Sequence, residues 1–317
     1  MSKNVLITAL GTMNGSATVT ELRKKCPDYH IIGADINPSY CITASKFVDE
    51  FFKFPPAIPE TETYTAYVIN FCKKHQIDYV YCFIDEEVES FAKHRDDFAA
   101  VGTVVCVADS RTIDICHHKD KFQKWIMENI PSIAIKDYRV EDIKDNDYPV
   151  FVKPLEGRAS IGCKRIDNKA QMSDYIKENS RFIIQQVVSG EIVSVDIVRN
   201  RLTNQIESLQ KREILRNGNG CGTAIETILD ENLRDICFLL AEKLDSHGII
   251  NAEFFMTQDG PKIIEVNPRL PAGTDFSCLA GLNTVINSML IAEGKPCEFE
   301  TIKVGHYFTK RYEAYEM

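Results

Sequence analysis

Asn251-Ala252-Glu253-Phe254-Phe255 and, beyond a Gln258-Asp259-Gly260-Pro261 turn, Ile263-Ile264-Glu265-Val266-Asn267-Pro268-Arg269 carry the densest information in this chain. Apolar and polar residues alternating at period two spell two strands, and the short glycine turn makes them an antiparallel pair. Successive side chains of a strand point to opposite faces, so Glu253 and Phe255 share one face and Glu265 and Asn267 share a face of the next strand. Neighbouring antiparallel strands can then bring Glu253 opposite Glu265. Two carboxylates and an amide oxygen meeting in an otherwise apolar strand repel one another unless a hard cation joins them. Magnesium takes such oxygens and completes its shell with water and phosphate. Arg269, just beyond, suits phosphate oxygens.

Moving toward the N-terminus, Val150-Phe151-Val152-Lys153-Pro154 places a lysine inside a buried-looking strand, where it must find an anion or lose its proton. The loop that follows carries Gly157, Ser160 and Gly162, and its backbone N–H groups can fold over phosphates as an anion nest. Its glycine spacing is that of neither a Walker loop nor a Rossmann fingerprint. In Phe182-Ile183-Ile184-Gln185-Gln186-Val187-Val188-Ser189-Gly190-Glu191, a strand end with free backbone groups can read an adenine edge, and a carboxylate shortly after it can hold a ribose diol. Lys211, Arg212 and Arg216 precede the glycine-rich loop Arg216-Asn217-Gly218-Asn219-Gly220-Cys221-Gly222; Arg212 and Arg216 are candidate ligands for a substrate carboxylate. The loops at 156–162 and 216–223 are expected to act as lids over the phosphates and the acceptor.

Alternation over 148–154, 163–166, 181–188, 191–199 and 202–215 predicts antiparallel strands with one wet face. Helices are expected at 230–246 and 277–293. The first third reads differently. Short apolar runs at 5–10, 30–36, 78–84 and 103–107, spaced by helical patterns, predict βαβ units around a parallel sheet. Gly11-Thr12-Met13-Asn14 follows the first strand, where ligands gather in such sheets, or is simply a turn. Asp109-Ser110 offers an N-cap to a helix whose apolar face runs from Lys119 to Met127 and which Pro131 ends. The expected fold is thus an α/β N-terminal domain with a parallel sheet (1–108) and a two-lobed α+β domain (109–317). The latter divides into a linker helix region (109–147), a nucleotide-binding lobe (148–190) and a C-terminal lobe (191–317).

Composition narrows the function classes. A chain of 317 residues suits two or three lobes, and 44% apolar with 26% charged residues is ordinary for a soluble globular protein. A net charge of −9 speaks against non-specific nucleic-acid binding. No apolar run approaches the roughly 20 residues a membrane span needs, and Met1-Ser2-Lys3-Asn4-Val5 enters a strand pattern without a signal-peptide core, so a cytoplasmic location is expected. The eleven cysteines contain no Cys-x-x-Cys pair and read as reduced apolar residues; the seven histidines have no zinc spacing.

The order Lys121, Lys153 with its loop, Gln185 to Glu191, then Glu253, Glu265, Asn267 and Arg269 resembles the ATP-grasp superfamily over nearly the whole chain. Within it, the chain is most similar to the synthetase units of the carbamoyl phosphate synthase large subunit. The resemblance implies a pre-ATP-grasp-like N-terminal domain, ATP with magnesium (manganese as a substitute), and an acyl-phosphate mechanism. It implies that Lys121 and Lys153 hold the ATP phosphates beneath a loop that includes Ser160 and Gly162. Gln185, Gln186 and Val188 would read adenine, and Glu191 would hold the ribose. Glu253, Glu265 and Asn267 would bind the metal, with Arg269 and Lys153 serving catalysis. Family members often carry glutamate where this chain has Gln185, so an amide oxygen would meet the adenine amino group. One synthetase unit without a glutaminase favours a carboxylate–amine ligase. A carbamoyl-phosphate-synthase-like acylphosphate-forming enzyme and a non-catalytic nucleotide-binding subunit are the alternatives. Small-molecule carboxylate and amine partners are expected, with no nucleic acid or membrane, and a homodimer is compatible.

Overall fold

Five short strands, β1 (Asn4–Ile7), β2 (His30–Asp35), β3 (Glu50–Lys53), β4 (Tyr79–Tyr81) and β5 (Val104–Val105), pair in parallel in the order β3-β2-β1-β4-β5. This is seen in a computed structural model that describes residues 2–155, 161–218 and 220–317. Helices α1 (Met13–Lys25), α2 (Thr61–His75), α3 (Asp85–Lys93) and α4 (Arg95–Ala100) connect these strands. The side chain of Thr12 accepts from the Gly15 N–H at the start of α1, and Arg23, Lys24 and Lys25 face the negative end of its dipole. Because Val5, Leu6 and Ile7 of β1 are all apolar, the strand feeds two cores: Leu6 packs with Ile32, Val80 and Phe91 on one face, and Val5 and Ile7 pack with Ile31, Tyr79 and Tyr81 on the other. The expected parallel α/β lobe is present.

The expected single linker helix is two. Asp109 caps α5 (Ser110–His117), and the chain then opens at His118 (φ −97°, ψ 111°) before α6 (Lys119–Asn129) begins. The middle lobe is a four-stranded antiparallel sheet of β6 (Asp137–Tyr138), β7 (Val150–Pro154), β8 (Lys164–Ile166) and β9 (Phe182–Gln186), ordered β6-β9-β7-β8, with α7 (Lys169–Glu178) against it. Its small core is Val150, Val152, Ile166, Met172, Tyr175 and Ile184.

The last lobe is a six-stranded antiparallel sheet ordered β14-β13-β10-β11-β12-β15. Its strands are β10 (Glu191–Asn200), β11 (Gln205–Arg216), β12 (Gly222–Ile228), β13 (Gly248–Thr257), β14 (Gly260–Asn267) and β15 (Tyr307–Thr309). Helix α8 (Glu231–Leu244) buries Leu233, Cys237, Leu240 and Leu244 against Val193, Val195 and Ile197 of β10. The alternate residues of β10, Ile192 and Ser194, face a cleft instead. The helix expected at 277–293 is also two, α9 (Thr274–Ala280) and α10 (Thr284–Ala292). Gly281, at φ +107°, ends the first, and the Asn283 side chain accepts from Ile286 N–H to start the second. These helices cover the Val5/Ile7 face of the N-terminal sheet, so that core is shared between the two ends of the chain.

Candidate functional site

A cleft of about 1300 Å³ runs between the three sheets. At one end it is walled by the middle lobe, where Lys153 and Phe151 of β7 stand beside Ile183 and Gln185 of β9. Lys153 makes no hydrogen bond or ion pair among the described residues. Burial pulls its ammonium below the ordinary lysine pKa, and the charge of Glu265 opposes that shift. A half-buried cation in this state is stabilised by an incoming anion. Gly162 holds φ +77°, and a Cβ there would come within 2.9 Å of Pro154 Cγ, so the turn after the phosphate-type loop is confined to glycine. Ser160 and residues 156–159 lie outside the described residues, as does Asn219 in the second loop.

Gln185 is buried, and its Nε2 donates to Gln123 Oε1 at 2.7 Å. Its Oε1 is withdrawn from water and has no hydrogen-bond partner among the described residues. Gln186, Val187 and Val188 continue along the cleft wall.

Opposite stands the β13–β14 hairpin. Glu253 pairs directly with Glu265, and Asn251 with Asn267. A bulge at Ile264 makes this happen. From the turn up, Phe254 pairs with Ile263; the extra residue then shifts the register by one and sets Glu265 against Glu253. Burial first, then the charge of Glu265, raises the Glu253 pKa. A guanidinium balances this charge: Arg216 Nη2 lies 3.1 Å from Glu253, and its Nε lies 2.6 Å from Glu213. Asn267 donates from Nδ2 to Glu265 at 3.2 Å and accepts at Oδ1 from Arg269 at 3.3 Å. Arg269 reaches across to the N-terminal lobe, 2.7 Å from Asp85 at the start of α3. Burial alone would raise the Asp85 pKa, but His117 and Arg269 outweigh it and hold that carboxyl well below its usual range. His117 stands 3.8 Å from Asp85 and 3.2 Å from Glu89, and these carboxylates, Asp85 foremost, raise its pKa.

Three of the residues expected from sequence stand elsewhere. Lys121 does not line the cleft; it pairs with Asp114 at 2.6 Å. Lys119 lines it instead, with Nζ 3.3 Å from the Leu155 carbonyl. Two helical positions apart means roughly 200° around the axis, so only one of the pair can face inward. Arg212 and Glu191 pair with each other at 3.2 Å, and Arg212 also meets Glu226 at 2.7 Å, all on the sheet face away from the cleft. Alternation is the cause: Lys211 and Glu213 flank Arg212 and point into the cleft. Lys211 is fully buried and held by Asp196 at 2.6 Å, while Asn251 Nδ2 donates to the other oxygen of Asp196 at 2.7 Å. Among the residues missed, Asp85 and Glu86 follow strand β4, the carboxyl end where α/β sheets place ligands, and that signal was available. No local signal marks Gln123 or His117.

A parallel sheet joined to two antiparallel lobes thus surrounds a cleft with opposed carboxylates and a lysine that has no partner among the described residues. Comparison with known proteins places this architecture. Residues 116–273 match the ATP-grasp domain family, and residues 5–106 match the PylC-like N-terminal domain family. The chain belongs to the ATP-grasp superfamily. It is 20% identical over 274 residues to the arginine-specific carbamoyl phosphate synthase large chain of Bacillus subtilis, covering 81% of this chain and 25% of that one. The chain therefore spans about a quarter of the length of that relative. The biotin carboxylase domain of Hydrogenobacter thermophilus 2-oxoglutarate carboxylase, a dimer solved with MgADP, ADP and bicarbonate, superposes with TM-score 0.76 at 13% identity, covering 97% of this chain and 73% of that one. N5-carboxyaminoimidazole ribonucleotide synthetase of Thermotoga maritima superposes at 0.68 with 17% identity, covering 95% and 78%.

Proposed function

We propose that the protein is an ATP-dependent ligase that activates a small-molecule carboxylate as an acyl phosphate and joins it to an amine, releasing ADP and phosphate. The observation that carries this reading is the opposition of Glu253 and Glu265 across the hairpin, in one cleft with Lys153 and Arg269. The donors suit magnesium. They are all oxygens on rigid strands, and Arg216 already marks the place as one that takes positive charge. Glu253, Glu265 and Asn267 would hold the ion, the amide turning its oxygen toward it, and the ion would supply positive charge to the phosphate oxygens.

The residues do the rest. Lys153 and Lys119 hold the phosphates, and the end of β9 reads the base. A substrate carboxylate oxygen attacks the γ-phosphorus, and the bond to the β-phosphate oxygen breaks as ADP leaves. Arg269 and Lys153 balance charge on the phosphoryl group in flight. The amine then attacks the acyl carbon, phosphate departs with the bonding pair, and the amine loses a proton. The three-sided cleft keeps water from the acyl phosphate. Its acceptor end holds Arg216 and Lys211 beside Glu213, groups able to orient a charged carboxylate and an amine.

ADP release with a panel of carboxylates and amines tests the reading. Glu265→Gln removes one charge from an exposed strand position and should leave the fold intact while cutting turnover by about a hundredfold or more. Product formation at a near wild-type rate in that variant would refute the assignment.

A further inference from the structure

A glutamine carries a donor and an acceptor of nearly the same shape, so Gln185 alone does not dictate which of the two a bound base meets. Its surroundings do. The Ile135 carbonyl accepts from Gln123 Nε2 at 2.8 Å, and a carbonyl can do nothing else. Gln123 must therefore offer its oxygen to Gln185, which answers with Nε2 at 2.7 Å. Of the polar side-chain atoms of these two amides, Gln185 Oε1 is the one left without a hydrogen-bond partner among the described residues, buried on the cleft wall. Both glutamines are nearly inaccessible, so water does not scramble the chain of amides.

We infer that Gln123 is a specificity-determining positioning residue. Anchored on the Ile135 carbonyl, it locks the Gln185 amide so that an acceptor faces the base. The site thereby selects a purine with an amino donor at position 6 over one with an oxo group there. This rests on the proposed placement of the nucleotide base at Gln185. Where that glutamine stands, a carboxylate would present an acceptor in either orientation; here the polarity has to be supplied by a neighbour on α6.

Affinities for ATP and inosine triphosphate, measured by calorimetry with magnesium, give the test. The wild-type protein should prefer ATP. Gln123→Leu frees the amide to rotate, and the preference should fall by roughly tenfold. Gln123→Lys still satisfies the Ile135 carbonyl but offers only donors, so it should turn Gln185 around and shift the preference toward inosine triphosphate. Gln123→Leu with Gln185→Glu should restore the preference for ATP, which a purely structural role of Gln123 would not do. An unchanged ATP-to-inosine ratio in both single variants, with nucleotide still bound, overturns the inference and leaves the nucleotide reading intact. Undiminished binding of both nucleotides in Gln185→Ala overturns the placement of the base, and the inference with it.

Discussion

Lys153 is the residue whose environment argues most directly for a ligand. It sits on a strand, half-buried, with its charged form penalised by burial and no partner among the described residues. If phosphates supply that partner, Lys153→Ala should weaken ATP by about ten- to a hundredfold, the range for hydrogen bonds to charged groups, and leave adenosine affinity nearly unchanged. Equal loss for both ligands in calorimetry would contradict it. Glu87 is the opposite case, a buried acid away from the cleft. Burial raises its pKa to about 7 from 4.5, although Tyr64 and Thr8 donate hydrogen bonds to it. A carboxyl with a raised folded-state pKa binds its proton more tightly in the native state. Its stabilising contribution is complete below pH 4.5 and is lost as pH rises through 7. The wild-type protein should thus lose on the order of 3 kcal/mol from this group between those limits, and Glu87→Gln should flatten that part of the profile. Denaturant midpoints at pH 4.5, 6 and 8 check it; an unchanged slope in the variant would count against it. At this scale the sequence revealed what alternation reveals. Glu253, Glu265, Asn267 and Lys153 could be placed on strand faces. Lys121 and Arg212 were misplaced because a cluster of like residues does not say which member faces inward, and Gln123 was invisible because its partner is 62 residues away.

Among the elements, the β13–β14 hairpin shows how far pattern carries. The turn, the pairing and the opposed carboxylates were legible, but the bulge at Ile264 was not. Without it, Glu265 would face Ala252 rather than Glu253, so the correct expectation depended on a register shift that period-two reasoning does not contain. The two helical breaks have a related cause. The apolar pattern from 277 to 293 is continuous enough to read as one helix, and a lone glycine inside such a pattern is tolerated. Gly281 is decisive because of its surroundings: φ is +107°, and a Cβ would lie 2.5 Å from the Thr301 carbonyl oxygen. Gly281→Ala combines a left-handed conformation with a backbone clash and should cost about 2 kcal/mol or more, read as a lower thermal midpoint. Gly102→Ala, also at positive φ (+85°) but with open space around it, separates the two effects; it should cost less. Equal losses for both would mean that the Thr301 contact contributes nothing.

For the whole molecule, the expected division at residue 108 does not divide the core. The face of the N-terminal sheet formed by Val5, Ile7, Ile31, Tyr79 and Tyr81 is closed by Leu282, Val285, Ile286 and Met289, from the other end of the chain. Tyr81 donates to the Val285 carbonyl at 3.0 Å and Tyr79 to Glu293 at 2.6 Å, so both polar tips reach α10 and the turn beyond it. Burying one such large side chain stabilises a fold by about 1.5–3 kcal/mol. Uncovering five of them together would remove an amount comparable to the entire stability of a small domain, about 5–15 kcal/mol. A fragment of residues 1–108 should therefore keep its local βαβ pattern without a fixed core, binding hydrophobic dyes and melting without a cooperative step. Co-expressed with 109–317 it should dock and regain a sharp transition. The middle lobe differs: its six buried apolar residues form a core of their own, tied to α6 by the hydrogen bond from Gln185 to Gln123. This arrangement joins the N-terminal sheet and the β10–β14 sheet through one core, while the wall that carries Lys153 and Gln185 has a core of its own. A cooperative melt of the isolated 1–108 fragment, with near-ultraviolet dichroism like that of the full chain, would show that the shared core is dispensable and would sink this account.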